Sequence, residues 1–224
     1  MIKIKLNDEN KKQIAEAVSK AESNTSGEIV TAFIKESYDY AVYEMATAVI
    51  AGFVYFVAMM FFVGNIQTWL HGMFWDYSQN YLIAFYGFST FVVGTIVYFL
   101  ANLAAIDRLI VPKKIMQQKV HDRALLHYME SGIYNTRDRT GILIFISLLE
   151  HRVELLADKG ISSKIPLEQW QQIVEQILAG VKQGDFTNKL CKSIEECGSL
   201  LAEHFPIKAD DTNELTNDIN VLEK

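Results

Sequence analysis

Two cysteines and five histidines are among the side chains in this sequence that could carry nucleophilic, redox or metal chemistry. Their spacing and placement argue against most of them. Cys191 and Cys197 stand six apart on an expected helix, so they point in different directions and make a poor disulfide pair. The absence of a C-x-x-C pair removes the usual zinc and redox readings, and two helix-borne thiols fit a reducing compartment. His121 and His127 share no helix face, His151 sits in a turn and His204 near a helix end, so surface or capping roles are expected of them. G-x-S-x-G, H-E-x-x-H and P-loop motifs are missing, and neither cysteine opens a C-x5-R phosphate loop. The net charge of −6, with no stripe of Lys and Arg among aromatics, argues against a nucleic-acid surface.

The sequence is more informative about what holds such residues in place. Half of it is hydrophobic, yet 21% is charged, which predicts apolar spans alongside a substantial water-facing part. Met45 to Val63 and Tyr81 to Ala105 contain no charged side chain. The first would form a helix of about 28 Å and the second a longer one, enough to cross a hydrocarbon core of ~30 Å. A chain of 224 residues has too little material to bury two helices apolar on every face, so the lipid bilayer is their expected surrounding. Trp69, Trp75, Tyr77 and Tyr81 cluster in and after the connecting segment, as an interfacial belt does. Ala48 and Gly52 on the first span and Gly87 and Gly94 on the second let backbones approach, chiefly to pack the two spans together.

Basic residues set the orientation. Lys3, Lys5, Lys11, Lys12, Lys20 and Lys35 precede the first span, Arg108, Lys113, Lys114 and Lys119 follow the second, and the connection has neither Lys nor Arg. Both termini are therefore expected in the cytoplasm, with the protein passing twice through the inner membrane and its first span acting as an uncleaved insertion signal.

The flanking segments read as one interrupted soluble domain. Asn7 and Asp8 are candidate caps for a helix carrying Ile14, Ala17, Val18 and Ala21, and Glu28 to Ile34 reads as a buried strand. After the spans, Lys113 to about Ser131 is an expected helix, and Gly141 to Leu148, apolar on both alternating faces, an expected central strand. Arg152 to Asp158 returns as its hairpin partner. Pro166 opens a helix that stops near Gly184, and a last helix opens at Asp185. The expected divisions are 1–44, the first part of the soluble domain; 45–105, the transmembrane hairpin; 106–208, the remainder; and 209–224, an acidic flexible tail. Helices on both faces of a small mixed sheet would bury these surfaces.

The block TGILIFISLLEHRVELLADKGI, Thr140 to Ile161, resembles the strand-turn-strand signature of the TPM domain. SGEIV at Ser26 to Val30, the helix ending in ALLHYMESGIYNTRDRTG and the later Trp170 helix support the likeness. The resemblance implies an α/β/α sandwich around a small mixed sheet, here interrupted by the two-helix hairpin. It also implies a divalent-cation site, Ca²⁺ or Mg²⁺, on acidic residues at strand ends, which in this chain are Asp158, Glu154 and Glu28. No catalytic residue is assigned. The expected function is a membrane-anchored binding or scaffold module for another membrane component, a membrane protein or a second copy. The alternative that the family suggests is a metal-dependent, phosphatase-like hydrolase.

Overall fold

A computed structural model describes residues 6–223, so Lys3 and Lys5 of the expected basic flank lie outside the described residues. The chain divides into two compact units. One combines the described residues up to Tyr38 with those from Lys114 onward, and the other is Asp39–Lys113.

In the first unit α1 (Asp8–Glu22) starts where Asn7 accepts a hydrogen bond from the Asn10 N–H at 2.7 Å. That bond satisfies an amide that a helix start otherwise leaves without a partner. Asn7→Ala should therefore cost about 1 kcal/mol of stability, read as a lower denaturation midpoint. β1 (Glu28–Ile34), β2 (Gly141–Ser147) and β3 (Arg152–Ala157) follow the apolar runs, and both faces of β1 and β2 are buried. β1 pairs in parallel with β2 over its full length, Glu28 opposite Gly141 and Ile34 opposite Ser147. β3 returns antiparallel to β2.

The residues 209–224, expected as a flexible tail, instead supply β4 (Asn220–Leu222), parallel to the end of β1. Leu215 and Leu222 pack into one core and Ile219 into the other, which gives this acidic segment the apolar burial its composition seemed to deny it. Among the described residues the sheet order is β3-β2-β1-β4.

Two cores flank this sheet. Ile29, Phe33, Ile142, Ile144, Ile146 and Val153 face α1 together with α8 (Leu167–Gln183) and α9 (Phe186–His204). α1 and α9 cross closely at Gly198, where a Cβ would lie 2.6 Å from the Cβ of Ala21. Val30, Ala32, Ile34, Leu143 and Phe145 face α6 (Lys113–Glu130), which covers them with Val120, Ala124 and Tyr128. The result is an α/β/α sandwich. α7 (Lys159–Ser162) is a single turn after β3. Cys191 and Cys197 both lie on α9 as free thiols.

The second unit packs α2 (Ala41–Met60) against α4 (Gln79–Ala101). Both are long and apolar enough to cross a membrane. Glu44, Ala48 and Gly52 form the buried stripe of α2, spaced one helical turn apart. A Cβ on Gly52 would lie 3.7 Å from Cγ2 of Thr90, and one on Gly94 would lie 3.8 Å from the Ala48 carbonyl oxygen. Gly87 has open space around it. Asn102 Nδ2 donates to Glu44 Oε2 at 2.9 Å, tying the start of α2 to the end of α4.

Two features differ from the expected hairpin. The second apolar run breaks at Asn102 and Leu103, where extended backbone at Leu103 starts a separate short helix, α5 (Ala104–Ile110). The connection is also not a plain loop, because it holds α3 (Val63–Met73). Aromatic side chains gather around it: Trp69 meets the Phe85 ring at 5.8 Å, Tyr81 stacks on Phe74 at 4.7 Å, and Tyr77 lies 3.8 Å from His71. Trp75 is fully exposed.

Candidate functional site

Strand register decides which of the three expected carboxylates can act together. Glu28 opens β1 opposite Gly141, and the Asp158 N–H, just past β3, donates to the Gly141 carbonyl at 2.9 Å. Glu28 and Asp158 therefore flank Gly141 at one end of the sheet, about 10 Å apart at Cα from two strand spacings. Glu154 is opposite Phe145, four residues back along β3 from Asp158 and hence roughly 13 Å away. It faces His121 of α6 instead, Oε2 to Nδ1 at 3.5 Å. The structure brings two of the three together and leaves Glu154 apart.

Both members of the remaining pair are buried, Glu28 at 6% and Asp158 at 8% exposure, and each keeps one buried oxygen without a hydrogen bond, Glu28 Oε2 and Asp158 Oδ2. The other Asp158 oxygen accepts from the Lys159 N–H at 2.5 Å and caps α7, while Arg139 Nη1 lies 4.0 Å from Oδ2. The Tyr128 phenol on α6 is pushed up to about 12 by burial and then by the Asp158 carboxylate, with Arg139 opposing. Gly141 matters here because its missing side chain makes room for the Ile133 carbonyl, which would collide with any Cβ. That carbonyl therefore lies on the sheet face toward which Gly141, Leu143 and Phe145 point.

Glu28 belongs to a larger acidic group that includes residues outside the expected set. Its Oε1 accepts from the Glu214 N–H at 3.2 Å, in the segment leading to β4. Glu22, at the end of α1, accepts from the Ile29 N–H at 2.8 Å. Burial pushes the Glu22 carboxyl up to about 8, the Ile29 amide opposes this, and the Glu28 charge adds to it. Burial likewise raises Glu28, against the Glu214 and Leu215 amides and with the Glu214 and Asp211 charges. The positive charge here comes chiefly from Arg137, whose backbone N–H donates to both Glu214 oxygens and whose Nη1 lies 3.2 Å from Asp210 Oδ2. Lys208 reaches Asp138 at 2.6 Å.

Sequence reading missed Glu22, although one signal was present. A carboxylate in the last turn of a helix opposes the helix dipole, which favours its neutral form. Among the described residues there is no group of three or more Asp, Glu, His or Cys side chains placed to hold a metal ion. Glu154 is distant from the other two, so the three expected carboxylates do not meet at one point.

Comparison with known proteins agrees with this architecture. The TPM domain model matches residues 105–197. α1 and β1 precede the matched segment and pack into the same unit, β1 directly on β2. The NMR structure of the BA42 protein from the psychrophilic bacterium Bizionia argentinensis is similar in fold, with a TM-score of 0.59 and 24% identity over 99% of this chain and 100% of that one. No curated protein matches the chain. Residues 105–197 thus resemble the TPM domain, and the strand order and layers described above are shared with the BA42 fold.

Proposed function

We propose that the protein is a two-pass inner-membrane protein that holds its TPM domain at the cytoplasmic surface, where it binds another membrane component as a scaffold. The observation that carries this reading is the parallel pairing of β1 with β2. The two strands are neighbours in one sheet although the apolar unit separates them in sequence, so both ends of that unit must return to the same aqueous side. An even number of crossings follows. Lys35, Arg108, Lys113, Lys114 and Lys119 flank the spans while residues 64–80 contain no Lys or Arg, which favours the cytoplasm as that side.

Of the four small residues on the spans, Ala48, Gly52 and Gly94 are occupied in the contact between α2 and α4, which leaves Gly87 as the place for a second helix. Affinity capture from detergent extract tests this. Partners held by the native chain should be lost when the hairpin is exchanged for an unrelated one and weakened by Gly87→Leu. Retention of every partner after the exchange would contradict the reading.

Divalent cations enter this account only through Glu28 and Asp158. Calorimetric heats with Ca²⁺ or Mg²⁺ that vanish in Asp158→Ala would add them. The alternative of a metal-dependent, phosphatase-like hydrolase draws on family likeness, and expects phosphate-ester turnover lost in the same variant. No catalytic step through a metal is assigned.

A further inference from the structure

The helix between the spans has the pattern of a membrane-surface helix. At ~3.6 residues per turn, Val63, Ile66, Trp69, Leu70 and Met73 of α3 fall in one stripe. Asn65, Gln67, Thr68, His71 and two glycines fill the rest. Only Ile66 and Leu70, the middle of the stripe, are buried within the unit. Trp69 and Met73 on its flank remain 51% and 56% exposed, and Phe61 and Phe62 just before the helix are exposed as well.

Water is a poor surrounding for that surface. At about 1.5 Å per residue an eleven-residue helix is too short to cross a bilayer. The neighbouring α2 and α4 carry exposed apolar surface as well, with Phe53, Phe88 and Phe91 open. From Met45 to Trp75 the chain carries no Asp, Glu, Lys or Arg, so His71 is the one ionisable side chain on the polar side of α3 and no fixed charge there offers a salt bridge to a protein or an attraction to anionic lipid.

We propose that α3 lies in the plane of the bilayer interface, with its Trp69 and Met73 flank inserted among the acyl chains of the leaflet in which the two spans are joined. The inference rests on the membrane reading given above. Insertion is driven by apolar area alone, which places the stripe about 5–10 Å into the boundary between headgroups and acyl chains and makes its depth indifferent to headgroup charge.

Tryptophan emission of the full chain in phosphatidylcholine nanodiscs tests this. Trp75→Phe leaves Trp69 and the core residue Trp170 emitting. The double variant Trp69→Phe/Trp75→Phe leaves Trp170 alone and supplies the background. Phe91→Trp, added to that double variant, places a reporter midway along α4.

Lipids brominated near the carboxyl end of their chains should remove most of the Trp69 emission. Lipids brominated near the methyl end should quench Trp69 less and the Phe91→Trp reporter more, and replacing half of the lipid by phosphatidylglycerol should change neither. If Phe91→Trp is quenched and Trp69 is not, the inference fails while the spans stand. If neither is quenched, the membrane reading fails and takes the inference with it. Protection of Trp69 from both brominated lipid and aqueous iodide would mean burial against a second copy, and quenching that requires anionic lipid would mean electrostatic capture. Either result would overturn the proposal.

Discussion

Phe145→Ala should lower the unfolding free energy of the soluble unit by about 3–5 kcal/mol. Phe145 is the largest fully buried side chain, in the middle of β2 and facing the core that α6 closes with Val120, Ala124 and Tyr128. β2 is held between β1 and β3, so it cannot move to fill the space. The loss of apolar contact and the cavity left behind therefore add, where a surface phenylalanine would cost little. Denaturant unfolding followed by Trp170 emission, with Trp69 and Trp75 replaced by Phe in both parent and variant, measures it. A loss under 1 kcal/mol would mean that β2 is not a central strand covered on both faces.

The second large effect is a fall in stability with rising pH. In the folded chain burial raises the Glu22 carboxyl from its ordinary 4.5 to about 8. Between those values the folded state keeps a proton that the unfolded chain has already released. Stability therefore declines as pH rises from about 4.5 toward about 8 and levels off beyond, and the raised Glu28 carboxyl contributes in the same direction. The total is on the order of a few kcal/mol, reduced by the water that reaches the partly exposed Glu22.

Glu22→Gln keeps an oxygen for the Ile29 N–H and cannot ionise. The variant should match the parent near pH 5 and exceed it near pH 8, flattening the profile. Parallel profiles for the two proteins would show that Glu22 titrates normally in the folded state.

The parts of the fold legible in the sequence are those whose burial is expressed in their own residues. β2 alternates Ile142, Ile144 and Ile146 toward one core with Leu143 and Phe145 toward the other, so the run itself reports cover on both faces. α1 carries its start in Asn7 and its inner face in Ile14, Ala17, Val18 and Ala21. β4 carries no comparable signal. Three residues cannot show a period, and Leu215, Ile219 and Leu222 are set among Asp, Asn, Thr and Glu whose partners lie far back in the chain.

The candidate site was half legible for the same reason. Glu28 and Asp158 are strand ends, which a sequence can mark. Glu154 is a strand end by neither register nor face partner, and its separation from Asp158 became visible only through the pairing with β2. Glu214 and Arg137 are seventy-seven residues apart and meet only because the last segment crosses the sheet end. α3 was hidden by its lack of charge, since a short neutral helix between two apolar runs reads as connection.

The claim beneath this account is that the apolar unit crosses a membrane twice and hands the chain back to one fold on one side. Cysteine labelling in intact cells tests it most directly, with Cys191→Ser as the parent. A membrane-impermeant maleimide should label Ser78→Cys in whole cells, and should label Lys12→Cys and Asp218→Cys only after the cells are opened. Labelling of Lys12→Cys and Asp218→Cys from opposite sides of the membrane would contradict the account, as would full-length protein that stays monodisperse in buffer without detergent.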